Sequence, residues 1–207
     1  METIYSFLLA SILLCISPGP DNIFVLTQSA LFGSKKGILV TLGLCTGLIV
    51  HTTAVAFGVA AIIKASPFAF TMLKYIGAFY LLYLAWQAFS TLLKNLGDTQ
   101  SNRLSDFQFY RRGIIMNITN PKVTIFFLAF LPQFTNPDQG GVILQILFLG
   151  LLFILITSVV FGTVAFMAGS LASWFNRSPI VQIYLNRVAG VVYATLALNL
   201  LFGSSVG

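Results

Sequence analysis

The stretch that decides the fold is Ser17–Asn22 (SPGPDN), which interrupts a long apolar run from about Ile4 to Phe32. A second interruption, Asn117–Lys122 (NITNPK), lies within the apolar run from about Gly113 to Leu131. Proline removes a backbone donor, clashes with the preceding helical turn, and pushes the residue before it out of helical geometry. Each run is therefore predicted to form two half-helices that meet at a break, with free backbone groups on both sides of it.

Composition places the chain in a membrane. Of its 207 residues, 57% are hydrophobic and 8% are charged, against about a quarter charged in soluble domains, and the mean hydropathy is +0.94. The apolar runs are far longer than the roughly ten alternating residues of a transmembrane barrel strand, so a helical membrane protein is predicted. The net charge of +6 comes from bases near the segment ends, which favours topology signals and lipid headgroup contacts over nucleic acid.

Six apolar segments reach or approach the roughly 20 residues that cross about 30 Å of hydrocarbon. The remaining connectors are too short for a soluble domain, so residues 1–207 are predicted to form one transmembrane domain. The longest polar connector, about Lys94–Arg112, is expected to be a loop. The predicted segments run near Ile4–Phe32, Gly37–Ile63, Phe68–Leu93, Gly113–Leu131, Val142–Trp174 and Ile180–Phe202.

The basic residues predict how the segments are oriented. They concentrate on the first, third and fifth connectors, which share one side if all six segments cross, and basic connectors face the cytoplasm. Both termini are then expected outside. If the first segment instead folds back as a re-entrant hairpin, the N-terminus is cytoplasmic. The bases on these connectors are Lys35, Lys36, Lys94, Arg103, Arg111, Arg112 and Arg177.

The two halves of the chain resemble each other. Three sets of matched positions occur in the same order in both halves, and each half holds three segments, an odd number. The second copy is therefore predicted to be inverted across the membrane, an arrangement common in secondary transporters. The predicted fold class is all-α, with two inverted three-helix repeats at about 1–96 and 111–207, joined by a cytoplasmic loop at about 97–110. The matched sets are Pro20 with Pro121, Thr53–Gly58 with Thr157–Gly162, and Lys74, Gly77 and Tyr80 with Arg187, Gly190 and Tyr193.

Asp21 follows Pro20 at the expected start of the second half-helix. One interpretation is a helix cap, because a carboxylate satisfies free N–H groups and suits the helix dipole. The other is a counter-ion for an ammonium group, or a proton acceptor. A charge at membrane depth costs about 2.5–3.5 kcal/mol on insertion scales, and an uncharged residue would cap without that cost. This comparison favours a functional carboxylate.

Lys122 follows Pro121 in the same way, but capping does not explain it, because an ammonium at a helix N-terminus opposes the dipole. Its expected partner is an anion. An ion pair with Asp21 and contact with a substrate carboxylate both fit, and they are compatible if the pair opens to admit a zwitterion. A third alternative is that the side chain extends toward the cytoplasmic surface.

Amide side chains flank both breaks. They can hydrogen-bond the freed backbone groups or receive an amino-acid substrate, and both interpretations stay open. Two other polar side chains, Gln87 and Asn199, lie deep in segments three and six, where they line a pathway or hold helices together. The amides at the breaks are Asn22, Asn117 and Asn120.

Segment two carries small residues and the single histidine. Gly43 and Gly47 let helices approach closely, and packing within the chain is favoured over a homodimer face. His51 is interpreted as a hydrogen-bonded core residue rather than a proton relay, and a single histidine does not predict a metal cage. Cys15 and Cys45 lie in apolar segments and are expected to be small core residues, not a disulfide pair.

Catalytic motifs are missing from the sequence. It has no Cys–His or Ser–His–Asp set, no paired carboxylates and no P-loop. Neither an enzyme nor an ATP-driven pump is predicted, and no cofactor is expected. An ion or substrate gradient would have to supply the energy for transport.

Three motifs resemble the LysE/RhtB family of bacterial amino-acid exporters: Ser17–Pro20, the glycines Gly43 and Gly47, and Asn120–Lys122. The resemblance covers essentially the whole chain. It implies efflux of neutral amino acids such as threonine, homoserine or leucine across the bacterial inner membrane, driven by the proton-motive force.

On this reading, the substrate sits between the two breaks. Half-helix N–H groups and Lys122 receive its carboxylate, and Asp21 and the asparagines receive its ammonium. One repeat rocks against the other to give alternating access. The fixed elbows of this motion are Pro18, Gly19, Pro20 and Pro121.

Two alternatives remain. Related membrane thiol–disulfide electron carriers share the plan and use a cysteine at each break. Here Cys15 lies near the first break, but residues 109–132 contain no cysteine. An exporter of another small solute or of a cation is the second alternative, and the scarcity of acids and histidines argues against a cation.

Overall fold

The computed structural model describes residues 2–17, 19–65, 67–90, 105–177 and 179–202, and every regular element within them is a helix. Pro18 and the basic residues Lys94 and Arg103 lie outside these ranges. The α-helices are α1 (Glu2–Ile16), α2 (Pro20–Phe32), α3 (Ser34–Ala65), α4 (Pro67–Ser90), α5 (Asp106–Ile118), α6 (Pro121–Ile125), α7 (Val142–Arg177) and α8 (Pro179–Phe202).

Both predicted breaks are present. The axes of α1 and α2 differ by 54°, and the second pair, α5 with Pro121–Phe134, bends by 50°. In each case a proline is the first residue of the new helix, preceded by an extended residue, Gly19 or Asn120. Proline suits this position, since its N–H would have no intrahelical acceptor there.

Two helices in the described ranges, α3 and α7, are long and apolar enough to cross a membrane. If each bent pair counts as one span, the number rises to four. The chain is therefore a helical membrane protein with two to four candidate spans in the described ranges.

The connector before the second break is shorter than expected. Its last part was predicted to be loop up to about Arg112, but α5 begins at Asp106. The cause is a capping box: the Ser105 N–H donates to Gln108 Oε1 at 2.8 Å, and the Gln108 N–H donates to Ser105 Oγ at 3.4 Å. A serine followed three residues later by glutamine is a sequence signal for a helix start, and here it overrides the polar composition.

The second half of the fourth segment is not a regular α-helix. Only Pro121–Ile125 is α-helical, and a π-helical turn at Phe126–Phe130 and a 3₁₀ turn at Leu131–Phe134 follow. Pro132 explains the change, because it has no N–H to offer the carbonyl of Leu128 and its ring clashes with that carbonyl. The widened turn buries Phe126 and Phe127 against Phe153 of α7, with ring centroids 5.5 and 5.1 Å apart.

Helices from the two halves of the chain pack against each other. The helix α3 packs against α5 and α7, and α4 packs against α8. The helices α1 and α2 also pack against α7. The helices α3 and α5 approach closely where Gly43 faces Gly113 and the carbonyl of Tyr110. This contact fixes the position of α5, whose C-terminus forms one side of the second break.

We expect Gly43→Ala to destabilise the protein. The added Cβ would overlap the Tyr110 carbonyl oxygen and lie 3.0 Å from the Gly113 Cα, and overpacking of this kind costs about 1–3 kcal/mol. Gly58→Ala on the same helix is the control, because nothing lies within 4 Å of the added atom. The thermal unfolding midpoint of detergent-purified protein should fall only for Gly43→Ala. Equal midpoints would contradict the packing described here.

Candidate functional site

The break between α1 and α2 is held by a lysine from the other break. The Lys122 Nζ donates to the carbonyl oxygens of Leu14 at 3.2 Å and Ser17 at 3.1 Å. These carbonyls belong to the C-terminal end of α1, where the helix dipole favours a cation. The Lys122 side chain is buried, with 8% of the residue exposed, so it does not extend to the surface.

The break between α5 and α6 is held in turn by an aspartate from the first break. The carboxylate of Asp21 accepts hydrogen bonds from Asn120 Nδ2 at 2.9 Å and Asn117 Nδ2 at 3.5 Å. Within the described residues, the carboxylate makes no hydrogen bond to an N–H group of α2. Within the described ranges Asp21 and Lys122 form no ion pair. Each charge is therefore satisfied by uncharged groups of the opposite break.

Two further side chains satisfy carbonyls at the helix ends. The amide nitrogen of Asn22 donates to the carbonyl of Cys15 in α1. The His51 Nε2 lies 3.2 Å from the carbonyl oxygen of Asn117 in α5, and since a carbonyl only accepts, this nitrogen carries the proton. In a bilayer, interrupted backbone is tolerated only where such partners are available.

A small cavity lies between the two breaks. Its volume is about 20 Å³, which is room for about one water molecule. Cys15 and Thr157 line the cavity, and the apolar part of its lining consists of Leu14, Leu48, Val123, Phe153 and Phe161. The polar side is formed by Gly19, Asp21, Asn22, Asn117, Asn120 and Lys122. The cavity is therefore lined by many polar groups but has room for only about one water molecule.

One polar atom of this centre has no partner. The Oδ1 of Asn117 is buried and accepts no hydrogen bond from the part of the chain that the structure describes. Gly47 makes room for this amide, because a Cβ on Gly47 would lie 2.6 Å from the Asn117 Oδ1. Unsatisfied buried acceptors are rare in native proteins, and such an atom often accepts a hydrogen bond from a water molecule or a ligand.

Sequence reasoning missed two partners of the site. The Ser17 Oγ donates to the Tyr193 hydroxyl at 2.6 Å, and the Lys122 Nζ lies 5.4 Å from the centroid of the Tyr193 ring. Cys15 Sγ is 3.5 Å from Thr157 Oγ1. Both Tyr193 and Thr157 belong to the sets that match between the two halves of the chain, so the repeat was the available signal.

Other predicted residues lie elsewhere. Gly43 packs against α5 and does not line the cavity. Pro20 and Pro121 line a separate groove beside it. Pro18 lies outside the described residues, as do the side chains of Gln87 and Asn199, so their predicted roles stay predictions. In the described ranges, no group of three or more His, Cys, Asp or Glu residues is placed to hold a metal ion.

Comparison with known proteins assigns this chain to a family. A model of the LysE type translocator family matches residues 12–204. The chain belongs to the LysE type translocator family. This LysE type translocator is therefore a membrane transporter and not an enzyme. No solved structure matches it.

Several curated relatives resemble this LysE type translocator over most of their length. A homoserine/homoserine lactone efflux protein of Salmonella typhimurium is 34% identical over 193 residues, 91% of each chain. An uncharacterised membrane protein of Pseudomonas aeruginosa is 32% identical over 182 residues, 84% of this chain and 82% of its own. An uncharacterised membrane protein of Vibrio cholerae is 29% identical over 188 residues, 91% of each chain.

We expect Lys122→Met to destabilise this LysE type translocator. Methionine fills similar space but leaves the Leu14 and Ser17 carbonyls without their donor, at a cost of about 2 kcal/mol. The control is Lys35→Met, because Lys35 is 79% exposed and its ion pair with Asp106 at 3.3 Å is at the surface, where such pairs contribute little. Thermal unfolding in detergent measures both. A midpoint as high in Lys122→Met as in the parent would show that these contacts do not hold the break.

Proposed function

We propose that the protein exports a neutral amino acid of the homoserine or threonine class from the bacterial cytoplasm by alternating access, in exchange for protons. The observation that carries the proposal is the closed polar centre between two broken helices, with a carboxylate and an ammonium each supplied by a different break. A zwitterion carries the same two charges in one small molecule. Membership in a translocator family, and the name of the Salmonella relative as an efflux protein, support the direction and the substrate class.

The ammonium end of the substrate would bind at Asp21 and Asn117. The Asn117 Oδ1 is a buried acceptor without a partner in the described residues. Asn117 and Asp21 both line the cavity, and the Asn117 Nδ2 donates to the Asp21 carboxylate at 3.5 Å. An ammonium group has three donors and no acceptor. It therefore complements a site that offers a carboxylate and an unused amide oxygen.

The carboxylate end would bind at Lys122 and at the first turn of α2. Two of the three Lys122 donors are directed to α1 carbonyls, which leaves one for a ligand. The first-turn N–H groups of Asp21 and Asn22 have no intrahelical acceptor, and both residues line the cavity. The N-terminus of a helix is a common binding place for a carboxylate.

Alternating access is supported by the size of the cavity. About 20 Å³ is too small for an amino acid, so the centre must expand to bind one. Expansion would separate α2 from α6. It would also break the hydrogen bonds between Asp21 and the two asparagines. We place the fixed elbows of this motion at Gly19, Pro20 and Pro121.

Proton coupling would act through Asp21, the acid that lines the cavity. As a carboxylate it accepts from both Asn117 and Asn120. Protonation converts one of its oxygens into a donor, which cannot face an amide N–H₂ group. Proton binding would therefore weaken the contact between the two breaks and favour opening.

For the membrane arrangement we retain six spans in two inverted repeats, at the inner membrane and with both termini outside. The helices α4 and α8 have 24 residues each, about 36 Å of helix, which suffices for the hydrocarbon core. A bend of 54° between α1 and α2 is far from the reversal that a re-entrant hairpin needs. The contacts of Lys35 and Lys36 with Asp106 keep the starts of α3 and α5 on one side, which we assign to the cytoplasm.

Uptake into everted inner-membrane vesicles tests the proposed function. In these vesicles export appears as uptake, and an imposed proton gradient should drive accumulation of labelled homoserine or threonine but not of lysine or a divalent cation. Vesicles without the protein are the control. Accumulation of cations alone, or of no amino acid, would reject the assignment.

We expect Asp21→Asn to lose proton-driven accumulation and to retain exchange of substrate for substrate. Asparagine keeps the shape of the side chain but cannot bind or release a proton. The control is Asp138→Asn, since Asp138 is an exposed acid outside the cavity. The measurement compares uphill uptake with counterflow in vesicles preloaded with substrate. Unchanged uphill uptake in Asp21→Asn would remove this carboxylate from the coupling mechanism.

One observation favours the alternative of a thiol–disulfide carrier, namely that Cys15 lines the cavity. Cys45 does not line it, and its Sγ lies 3.2 Å from Ser158 Oγ. We expect a double variant, Cys15→Ser with Cys45→Ser, to keep amino-acid uptake, because serine preserves a hydroxyl partner for Thr157 and Ser158. Loss of uptake together with a redox-dependent change in thiol alkylation of the parent would favour the carrier instead.

A further inference from the structure

A second, larger hollow lies directly beside the central cavity. It is a groove of about 520 Å³ between α2 and α5, within the usual range of small-molecule sites, about 300–1,000 Å³. Its walls include Pro20 and Phe24 of α2, Arg112, Ile115 and Met116 of α5, and Thr119, which caps the C-terminus of α5. The spacing of the α5 residues places them on one face of the helix. We call this hollow the α2–α5 groove.

The groove runs from one face of the protein to the breaks. Arg112 lies within two turns of Asp106, the start of α5, where Lys35 and Lys36 also lie. From there to Thr119 the helix covers about 10 Å. The inner end of the groove is formed by Asn120 and Pro121. The groove therefore joins the basic side of the protein to the second break.

Only a thin partition separates the groove from the cavity. Pro20 lines the groove and Asp21 lines the cavity, and in the same way Pro121 lines the groove and Lys122 the cavity. Asn120 borders both spaces. The 2.9 Å hydrogen bond from Asn120 Nδ2 to the Asp21 carboxylate joins the two sides of this partition. We expect the two spaces to join when that bond opens.

Arg112 is the charged side chain of the groove. It is exposed, and within the described residues it forms no ion pair. Arginine presents a planar set of donors that matches a carboxylate in two parallel hydrogen bonds. A free guanidinium at the outer end of a groove whose inner end reaches an amino-acid site therefore fits the carboxylate of an approaching substrate.

We propose that the α2–α5 groove is the cytoplasmic access route for the substrate, and that Arg112 captures the substrate carboxylate before the Asp21–Asn120 contact opens. The inference rests on the proposed function, because it assumes a carboxylate-bearing solute that moves from the cytoplasm to the central cavity. It adds a specificity-determining residue outside that cavity.

Homoserine and homoserine lactone provide a matched pair of substrates. In the lactone the carboxyl group is esterified to the molecule's own hydroxyl, so it keeps the ammonium and has no carboxylate. Capture by Arg112 should therefore lower the KM for homoserine and leave the KM for the lactone unchanged. The Salmonella relative is named for efflux of both compounds, so the two can be compared on one protein.

The transport test uses Arg112→Gln and Arg111→Gln in everted vesicles, whose outer face is cytoplasmic. Both variants remove one base from the same part of α5, but Arg111 does not line the groove. We expect Arg112→Gln to raise the KM for homoserine about tenfold without changing kcat, to leave the KM for the lactone unchanged, and to weaken the salt dependence of homoserine uptake. An unchanged homoserine KM, equal rises for both compounds, or an equal effect of Arg111→Gln would overturn the proposal.

A labelling test examines the groove without relying on transport. Thr119→Cys lines the groove and Ile118→Cys, its neighbour, is exposed outside it. In a background with Cys15→Ser and Cys45→Ser, a charged thiol reagent applied to everted vesicles should modify Thr119→Cys and spare Ile118→Cys. No modification of Thr119→Cys would show that water does not reach the groove, and equal modification of both variants would show that the groove gives no particular access. Either result would overturn the proposal.

The two tests separate the failures. If the parent protein transports neither homoserine nor its lactone, the proposed function fails, while modification of Thr119→Cys from the cytoplasmic face still supports an aqueous groove. If the parent transports both compounds and Thr119→Cys stays unmodified, the function stands and the access route proposed here is wrong.

Discussion

The structure depends on a reciprocal exchange of hydrogen bonds between two interrupted helices. Lys122, from the second break, donates to carbonyls at the end of α1, and Asp21, from the first break, accepts from the amides of Asn117 and Asn120. Breaking a helix inside a bilayer exposes backbone groups that have no water to bond to. Here groups of each break hydrogen-bond groups of the other, and these mutual contacts hold the two breaks side by side.

The surrounding helices serve this arrangement. Gly47 leaves space for Asn117, and His51, one turn further along α3, binds the Asn117 carbonyl. On the other side the Tyr193 hydroxyl accepts from Ser17. The π-helical turn after α6 belongs to the same scheme, because it buries Phe126 and Phe127 against α7. A membrane protein gains little from burying apolar groups that lipid would also cover, so close contacts and polar pairs carry the specificity.

Much of this could be read from the sequence, and the misses have physical reasons. Proline chemistry located both breaks, the cost of a charge at membrane depth singled out Asp21, and the opposing helix dipole singled out Lys122. Of the alternatives left open for Lys122, the structure shows neither the ion pair with Asp21 nor extension to the surface. Free carbonyls and amides at the breaks bind these charges instead, and no local sequence pattern reveals them. The start of α5 was signalled by Ser105 and Gln108, but polar composition masked it. Tyr193 was visible only as a repeat match, since a distant contact leaves no local pattern.

The separation of Asp21 from Lys122 has a consequence for speed. Removing one partner from a buried ion pair leaves an uncompensated charge and costs about 3–5 kcal/mol, which would add several powers of ten to the time needed to part the two breaks. Hydrogen bonds between a charged and a neutral group contribute about 1.5–3 kcal/mol each, and they can be given up one at a time. Contacts of this kind can be lost and replaced one after another, so separation of the two breaks would not require every polar contact to be lost in a single step.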